Sequence, residues 1–87
     1  MVIRELYEMC NLLDDLDGVR TWIQGDSVFT NEIEIRTTIS FDDMGNYKYI
    51  VIHEHKFSEE MNFFDAVYFA QSILMEGRDA PVNYQTC

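Results

Sequence analysis

The stretch that decides the fold runs from Glu32 to His55, EIEIRTTISFDDMGNYKYIVIHEH. Hydrophobic and polar residues alternate in both of its halves, which is the pattern of strands with one buried face. Residues 42–45, DDMG, separate the two halves and are residue types that favour turns. The stretch is therefore predicted to form a β-hairpin, and the rest of the chain is expected to cover one face of it.

The length of the turn decides which strand faces come together, because a one-residue shift inverts every side chain. If residues 42–45 form a four-residue loop, Ile35 lies opposite Ile52 and the isoleucines share one face. A three-residue loop with a bulge instead places Ile39 opposite Tyr49, and both faces become half apolar. We expect the first register, because it gathers the aliphatic residues under the helices. The outer face of the returning strand would then carry Tyr47, Tyr49, Val51, His53 and His55.

Patterns on either side of the hairpin predict helices and a further strand. In residues 2–16 apolar side chains recur at steps of three and four, as in an amphipathic helix. Residues 19–24 alternate like a short strand, and a strand pattern resumes at Val28 and continues into the hairpin. Ser58, followed by two glutamates, is the expected N-cap of a second helix that ends at Gly77.

The order helix, short strand, long hairpin, helix predicts an α+β fold with two layers. One layer is a small antiparallel sheet of about three strands. The other consists of the N-terminal and C-terminal helices, packed on one face of that sheet. Residues 1–77 are expected to form a single domain. Residues 78–87 contain the only proline and show no periodicity, so they are expected to form a C-terminal tail.

Charge narrows the classes of partner. The 87 residues include 16 Asp and Glu against six Lys and Arg, which gives a net charge of −10. Such a surface repels nucleic acid and anionic membranes and attracts basic protein surfaces. No apolar run approaches the ~20 residues of a membrane span, and no signal-peptide pattern opens the chain. We therefore expect a cytoplasmic protein with no membrane partner and no direct contact with nucleic acid.

Two histidines and a glutamate form a candidate metal site. His53 and His55 lie two residues apart on the predicted strand, and the first register places Glu34 opposite His53. Imidazoles with a carboxylate suit a transition metal, although each histidine can equally pair with a glutamate across strands. No nucleophile motif and no glycine-rich phosphate loop is present, so neither catalysis nor a cofactor is predicted.

A short, strongly acidic α+β chain without catalytic motifs resembles, as a class, the small phage-encoded inhibitors. These include anti-CRISPR proteins and other DNA mimics that block nucleic-acid enzymes of the host. The opening residues 3–8, IRELYE, also look like the start of many small phage proteins. The resemblance implies a non-enzymatic inhibitor, acting in the host cytoplasm, that occupies a basic and normally nucleic-acid-binding protein surface. It assigns no residue a role.

On this hypothesis carboxylates stand in for phosphates and tyrosines supply desolvated anchors. The candidate partner-binding residues are Asp14, Asp15, Asp17, Glu32, Glu34, Asp42, Asp43, Tyr47, Tyr49 and Glu54. Two alternatives stay open. One is a homodimeric structural or regulatory subunit that associates through the outer face of the hairpin. The other is a metal-binding protein that uses His53, His55 and Glu34.

Overall fold

The computed structural model describes residues 3–16 and 18–76. The elements, in chain order, are α1 (Ile3–Asp14), β1 (Thr21–Gln24), β2 (Ser27–Thr30), β3 (Ile33–Phe41), β4 (Tyr47–His53), β5 (Lys56–Phe57) and α2 (Phe63–Glu76). The strands form one antiparallel sheet in the order β1-β2-β3-β4-β5. The predicted α+β class is confirmed, but the sheet has five strands instead of about three. Asp17 and the predicted tail, residues 78–87, lie outside the described residues.

Two tight turns account for the additional strands. Thr30 Oγ1 accepts hydrogen bonds from the amides of Glu32 (3.0 Å) and Ile33 (2.9 Å), which turns the chain between β2 and β3. Glu54 and His55 adopt left-handed backbone conformations, with φ of 53° and 67°, and close a two-residue hairpin between β4 and β5. Each predicted long strand is therefore divided into two shorter strands by a local turn.

Both helices pack on the same face of the sheet, as predicted. The buried cluster between the layers comprises Leu6, Met9 and Leu13 of α1, Ala66, Val67, Ala70 and Leu74 of α2, Val28, Ile33, Ile35, Tyr49 and Val51 of the sheet, and Val19. The alternating small and large residues of α2 let that helix lie close to β4. No helix among residues 3–16 and 18–76 has the length and apolar character to cross a membrane.

The hairpin between β3 and β4 does not have the expected register. Ile35 pairs with Val51, one position away from the predicted partner Ile52. Next to the loop, Phe41 pairs with Tyr47, and this pair belongs to the alternative register, the one with a three-residue loop. The prediction that all the isoleucines share one face is therefore wrong.

A bulge in β3 explains the difference. The pairing shifts between Thr37 and Phe41, so β3 holds more residues than β4 over this span. Thr38 stabilises the irregularity, since its hydroxyl donates to the carbonyl of Lys48 (3.0 Å) and accepts from the amide of Ser40 (3.1 Å). Just before the bulge, Thr37 occupies the place opposite Tyr49 that the alternative register gave to Ile39.

The predicted outer face of β4 is in fact its buried face. Tyr49 and Val51 are each only 1% exposed and lie beneath the helices. Ile50 and Ile52 are on the opposite face of the sheet, and Ile39 is 94% exposed beyond the bulge. Tyr49 and Val51 are therefore not at the surface, where one alternative expected them to mediate self-association.

The second helix begins later than predicted. Its N-cap is Asn62, whose Oδ1 accepts a hydrogen bond from the Asp65 amide at 2.8 Å. Ser58, the predicted cap, instead lies beside β4, where its hydroxyl accepts from the Val51 amide at 2.8 Å. Residues 58–61 thus continue along the edge of β4 and carry the chain to the start of α2.

Candidate partner-binding site

A cleft of about 310 Å³ opens at the end of the sheet where β3 turns into β4. The first turns of α1, the β3–β4 loop, the start of β4 and the start of α2 meet there. We call it the acidic aromatic cleft. Its lining residues are Glu5, Glu8, Asp42, Asn46, Tyr47, Tyr49, Asn62, Phe63 and Phe64.

Aromatic rings form the apolar part of the cleft. The Tyr49 ring is buried and meets the ring of Phe63 edge-on, with centroids 6.3 Å apart. Phe63 in turn contacts Phe64 edge-on at 5.1 Å, and Tyr47 packs on Phe41 at 4.7 Å. Phe64 is 74% exposed, so the aromatic surface extends from the core to solvent.

The backbone fixes this arrangement. Tyr49 exchanges two hydrogen bonds with Met61, from Tyr49 N to Met61 O (2.7 Å) and from Met61 N to Tyr49 O (2.8 Å). Met61 directly precedes the N-cap Asn62, so this pair sets the position of the first residues of α2. Phe63 and Phe64 are thereby held beside β4.

Asp42 forms the loop side of the cleft. Its Oδ1 accepts hydrogen bonds from the amides of Asn46 and Met44, both 2.9 Å, and Gly45 adopts a φ of +84° that closes the loop. The bond from the Asn46 amide, assisted by that from Met44, lowers the pKa of the Asp42 carboxyl. Asp42 therefore stays ionised at the mouth of the cleft.

Two further carboxylates come from α1. Glu5 and Glu8 are three residues apart, so they project from one side of the helix into the cleft. Burial raises the pKa of Tyr49 to about 12, and the negative charges of Glu5 and Glu8 add to the effect. Tyr49 is thus a neutral phenol that faces anionic groups.

Glu5, Glu8 and Asp42 form no close ion pair with a lysine or arginine within the part of the chain that the structure describes, although the charge of Lys48 acts on Asp42 from further away. There, only Glu34 forms an ion pair with a lysine or arginine. Glu5, Glu8 and Asp42 therefore leave a concentration of negative charge beside aromatic rings. This combination suits a cation on an apolar stem, as in a lysine or arginine side chain.

The structure brings together only part of the predicted partner-binding set. Asp42, Tyr47 and Tyr49 line the cleft, and Asp43 is exposed in the same loop. At the opposite end of the sheet, Asp14 and Asp15 end α1, where the Thr21 hydroxyl donates to Asp14 Oδ1 at 2.8 Å. The β2–β3 and β4–β5 turns also lie at this far end, and they carry Glu32 and Glu54. The predicted surface is therefore divided between two ends of the molecule.

The candidate metal ligands His53, His55 and Glu34 do not come together. His53 pairs with Ile33 on the helix-covered face, whereas Glu34 projects from the opposite face, where Ser27 and Arg36 contact its carboxylate. His55 lies in the β4–β5 turn instead of on a strand. Within residues 3–16 and 18–76, no group of three or more His, Cys, Asp or Glu could hold a metal ion. The same register difference that buries Tyr49 separates Glu34 from His53.

Sequence reasoning missed six of the nine residues that line the cleft: Glu5, Glu8, Asn46, Asn62, Phe63 and Phe64. The i, i+3 spacing of the two glutamates was a usable signal, since it places both on one side of α1. No comparable signal marked the aromatic pair, because an expected helix start at Ser58 places both rings in the second turn of the helix, away from the hairpin loop.

Comparison with protein-family models, with curated proteins and with solved structures finds no match for this chain.

Proposed function

We propose that this chain is a non-enzymatic binding protein that recognises a basic protein surface. The acidic aromatic cleft is its recognition site, and the ligand group is a lysine or arginine side chain of the partner. The observation that carries the proposal is the convergence of Glu5, Glu8 and Asp42 around the rings of Tyr47 and Phe64, with no close ion pair from any of the three to a lysine or arginine among the described residues.

The cleft supplies both parts of such an interaction. The aliphatic stem of a partner's lysine or arginine packs on the Phe64 and Tyr47 rings. Its charged end reaches the carboxylates, of which Asp42 is held in place by the hydrogen bonds of the loop. Because the partner's side chain is partly desolvated in the cleft, it contributes more to binding than an ion pair at the solvent-exposed rim of an interface.

The remaining charge acts at longer range. The net charge of −10 accelerates encounter with a basic surface and disfavours acidic partners. Basic surfaces of this kind occur on proteins that bind nucleic acid, where lysine and arginine neutralise phosphates. We therefore propose that the partner is a nucleic-acid-binding enzyme or complex and that the chain inhibits it by competition, as a phage-type inhibitor would.

A peptide titration tests the cleft directly. A fluorescein-labelled arginine-rich peptide is titrated with wild-type protein and with the double variant E5Q/E8Q. The matched control is D14N/D15N, which removes the same two charges at the far end of α1. We expect E5Q/E8Q to weaken binding at least tenfold and the control to weaken it no more than about threefold, as a general charge effect. Equal losses in the two double variants would exclude the cleft as the recognition site.

Partner identification uses the same pair of variants. Wild-type, E5Q/E8Q and D14N/D15N proteins serve as baits in a nuclease-treated lysate, with elution by a salt gradient. The expected partner is retained by the wild type and the control, is lost from E5Q/E8Q, and is displaced by added nucleic acid. A retained protein whose affinity is the same at low and high salt would contradict the electrostatic mechanism.

A further inference from the structure

The face of the sheet that the helices leave uncovered carries two rows of side chains. Successive strand pairing places the first row across all five strands and the second across four. We call these two rows the outer sheet face. The first row is Trp22, Phe29, Glu34, Ile52 and Phe57; the second is Gln24, Ser27, Arg36 and Ile50.

The two rows hold five apolar side chains and four polar ones, and the two charges among them cancel. Trp22 is 46% exposed and Phe57 is 62% exposed, and the Trp22 ring stacks on Phe29 with centroids 5.9 Å apart. The two rows contain one carboxylate and one guanidinium, and Arg36 Nε lies 3.1 Å from Glu34 Oε2. Exposed aromatic and aliphatic side chains on a sheet face indicate an interface, and the cancelling charges indicate that the partner is not selected by its net charge.

We propose that a second copy of this chain covers the outer sheet face, in a two-fold dimer with the two sheets packed face to face. The two-fold axis lies between the two sheets, runs perpendicular to the strands and crosses them at the level of Ile35. This axis lays the first row of each copy on the second row of the other. Arg36 of each copy then lies over Glu34 of the other, so the two charges of one face complement those of its mate.

The same axis also places a large side chain over a small one. The large Phe29 of one copy lies over the small Ser27 of the other, and Ile52 lies over Ile50. Large residues that meet small ones allow the faces to interdigitate at the usual sheet spacing of about 10 Å. An axis parallel to the strands would instead place Glu34 on Glu34 and Arg36 on Arg36, which like-charge repulsion disfavours.

The dimer is expected to be weak. Five strands at a spacing of about 4.8 Å give a face roughly 24 Å wide. The surface area that two rows of this width can bury is near the lower limit for specific interfaces. The charge of −10 on each copy also opposes association. We expect a dissociation constant in the micromolar range, and one that decreases as salt screens the repulsion.

Sedimentation equilibrium of charge variants tests the proposal. The single variants E34R and R36E each give the face two like charges, and each is expected to weaken self-association at least tenfold. An equimolar mixture of the two single variants restores opposite charges across the interface and is expected to form a heterodimer. The double variant E34R/R36E restores them within one chain and is expected to dimerise again. Because the mixture and the double variant recover binding, a folding defect cannot account for the losses.

Matched controls make the same charge changes away from the face. E32R alters the β2–β3 turn and K56E alters the start of β5, and both are expected to keep the wild-type dimerisation constant within about threefold. The proposal is overturned if the wild type stays monomeric up to about 1 mM in 0.5 M sodium chloride, a concentration of salt that removes most of the repulsion. It is also overturned if E34R dimerises like the wild type, or if the mixed single variants stay monomeric.

Dimerisation is independent of the proposed recognition of a basic partner. It uses the other face of the sheet and strengthens with salt, whereas binding at the acidic aromatic cleft weakens with salt. The E5Q/E8Q protein is therefore expected to dimerise at least as well as the wild type while losing the arginine-rich peptide.

Discussion

Tyr49 connects three parts of the structure. Its backbone pairs with Met61 at the approach to α2, and its ring packs on Phe63. Its phenol faces Glu5 and Glu8 from α1. A residue that sequence patterning assigned to a solvent-exposed anchor is thus the buried base of the acidic aromatic cleft, where it holds the cleft's walls in register instead of contacting a partner.

The raised pKa of Tyr49 predicts a loss of stability in alkali. The unfolded chain releases the phenol proton near the ordinary pKa of about 10, whereas the folded chain holds it until about 12. Between these values the unfolded state binds fewer protons, so the free energy of unfolding falls as the pH rises. We expect a loss of about 1 to 2 kcal/mol attributable to this group, allowing for partial solvent screening.

Urea unfolding of the wild type and of Tyr49→Phe between pH 9 and 12 measures the effect. The variant lacks the ionisable group and serves as the control, because all other titrating residues are common to both proteins. The stability difference between the two proteins should shift in favour of the variant as the pH rises. A difference that stays constant over this range would show that the Tyr49 pKa is not raised.

At the scale of single elements, β3 has two different halves. Before the bulge, Ile33 and Ile35 are buried under the helices; after it, Ile39 and Phe41 are exposed. The bulge turns the second half away from the core and carries the strand out to the loop at Asp42. One strand thereby contributes both to the core and to the acidic aromatic cleft.

Alanine substitutions in β3 distinguish the observed register from the expected one. Ile35→Ala is predicted to lower the free energy of unfolding by about 2 to 5 kcal/mol, because it leaves a cavity among buried side chains. Ile39→Ala is predicted to change it by no more than about 0.5 kcal/mol, because the side chain is exposed. Chemical denaturation of the two variants is the measurement. Similar losses at both positions would mean that the isoleucines share a buried face after all.

The elements that could be predicted were those with long, regular patterns. The apolar periodicity of α1 and α2 and the alternation in the hairpin predicted the class and placed both helices on one face. The turns were not predictable in the same way, because they depend on single hydrogen bonds, such as those to Thr30 Oγ1 and Asp42 Oδ1. Alternation also shows only which residues of one strand share a face. It does not show how that strand pairs with its neighbour, so it could not predict the bulge near Thr38.

The candidate site was predictable to a smaller extent. Asp42, Tyr47 and Tyr49 were singled out correctly as neighbours on the hairpin, yet their roles depended on the register. The remaining lining residues come from α1 and from the start of α2, which long-range packing brings to the loop. Periodicity within one element carries no information about which end of another element it meets.

At the scale of the whole molecule, the negative charge of the described residues is concentrated at two ends and lies largely outside ion pairs. Glu5, Glu8 and Asp42 mark one end, and acidic residues of α1 and of two turns mark the other. Glu34 and Arg36, the one carboxylate–guanidinium pair among the described residues, lie between these ends on the outer sheet face. The fold therefore holds like charges together at a net electrostatic cost.

Added salt is predicted to stabilise the folded protein. Screening shortens the range of the repulsion from about 30 Å at 0.01 M ionic strength to about 8 Å at 0.15 M. We expect the free energy of unfolding to rise by about 1 kcal/mol over that range, because compaction brings the carboxylates closer than they are in the unfolded chain. Thermal unfolding at dilute protein, in sodium chloride, checks this. D14N/D15N should show a smaller rise, and a wild-type stability that falls with added salt would contradict the charge argument.

The strand order of the sheet has a consequence for how the chain folds. Every strand pairs only with its neighbours in sequence, so the sheet can grow by adding one short hairpin at a time. Each addition closes only a small loop, and the entropy lost at each step is correspondingly small. The contacts between α1 and α2, which join the two ends of the described chain, are the ones that close the longest loop. The sheet is thus expected to assemble rapidly from local pairs, and the acidic aromatic cleft to form last, when the helices meet across it.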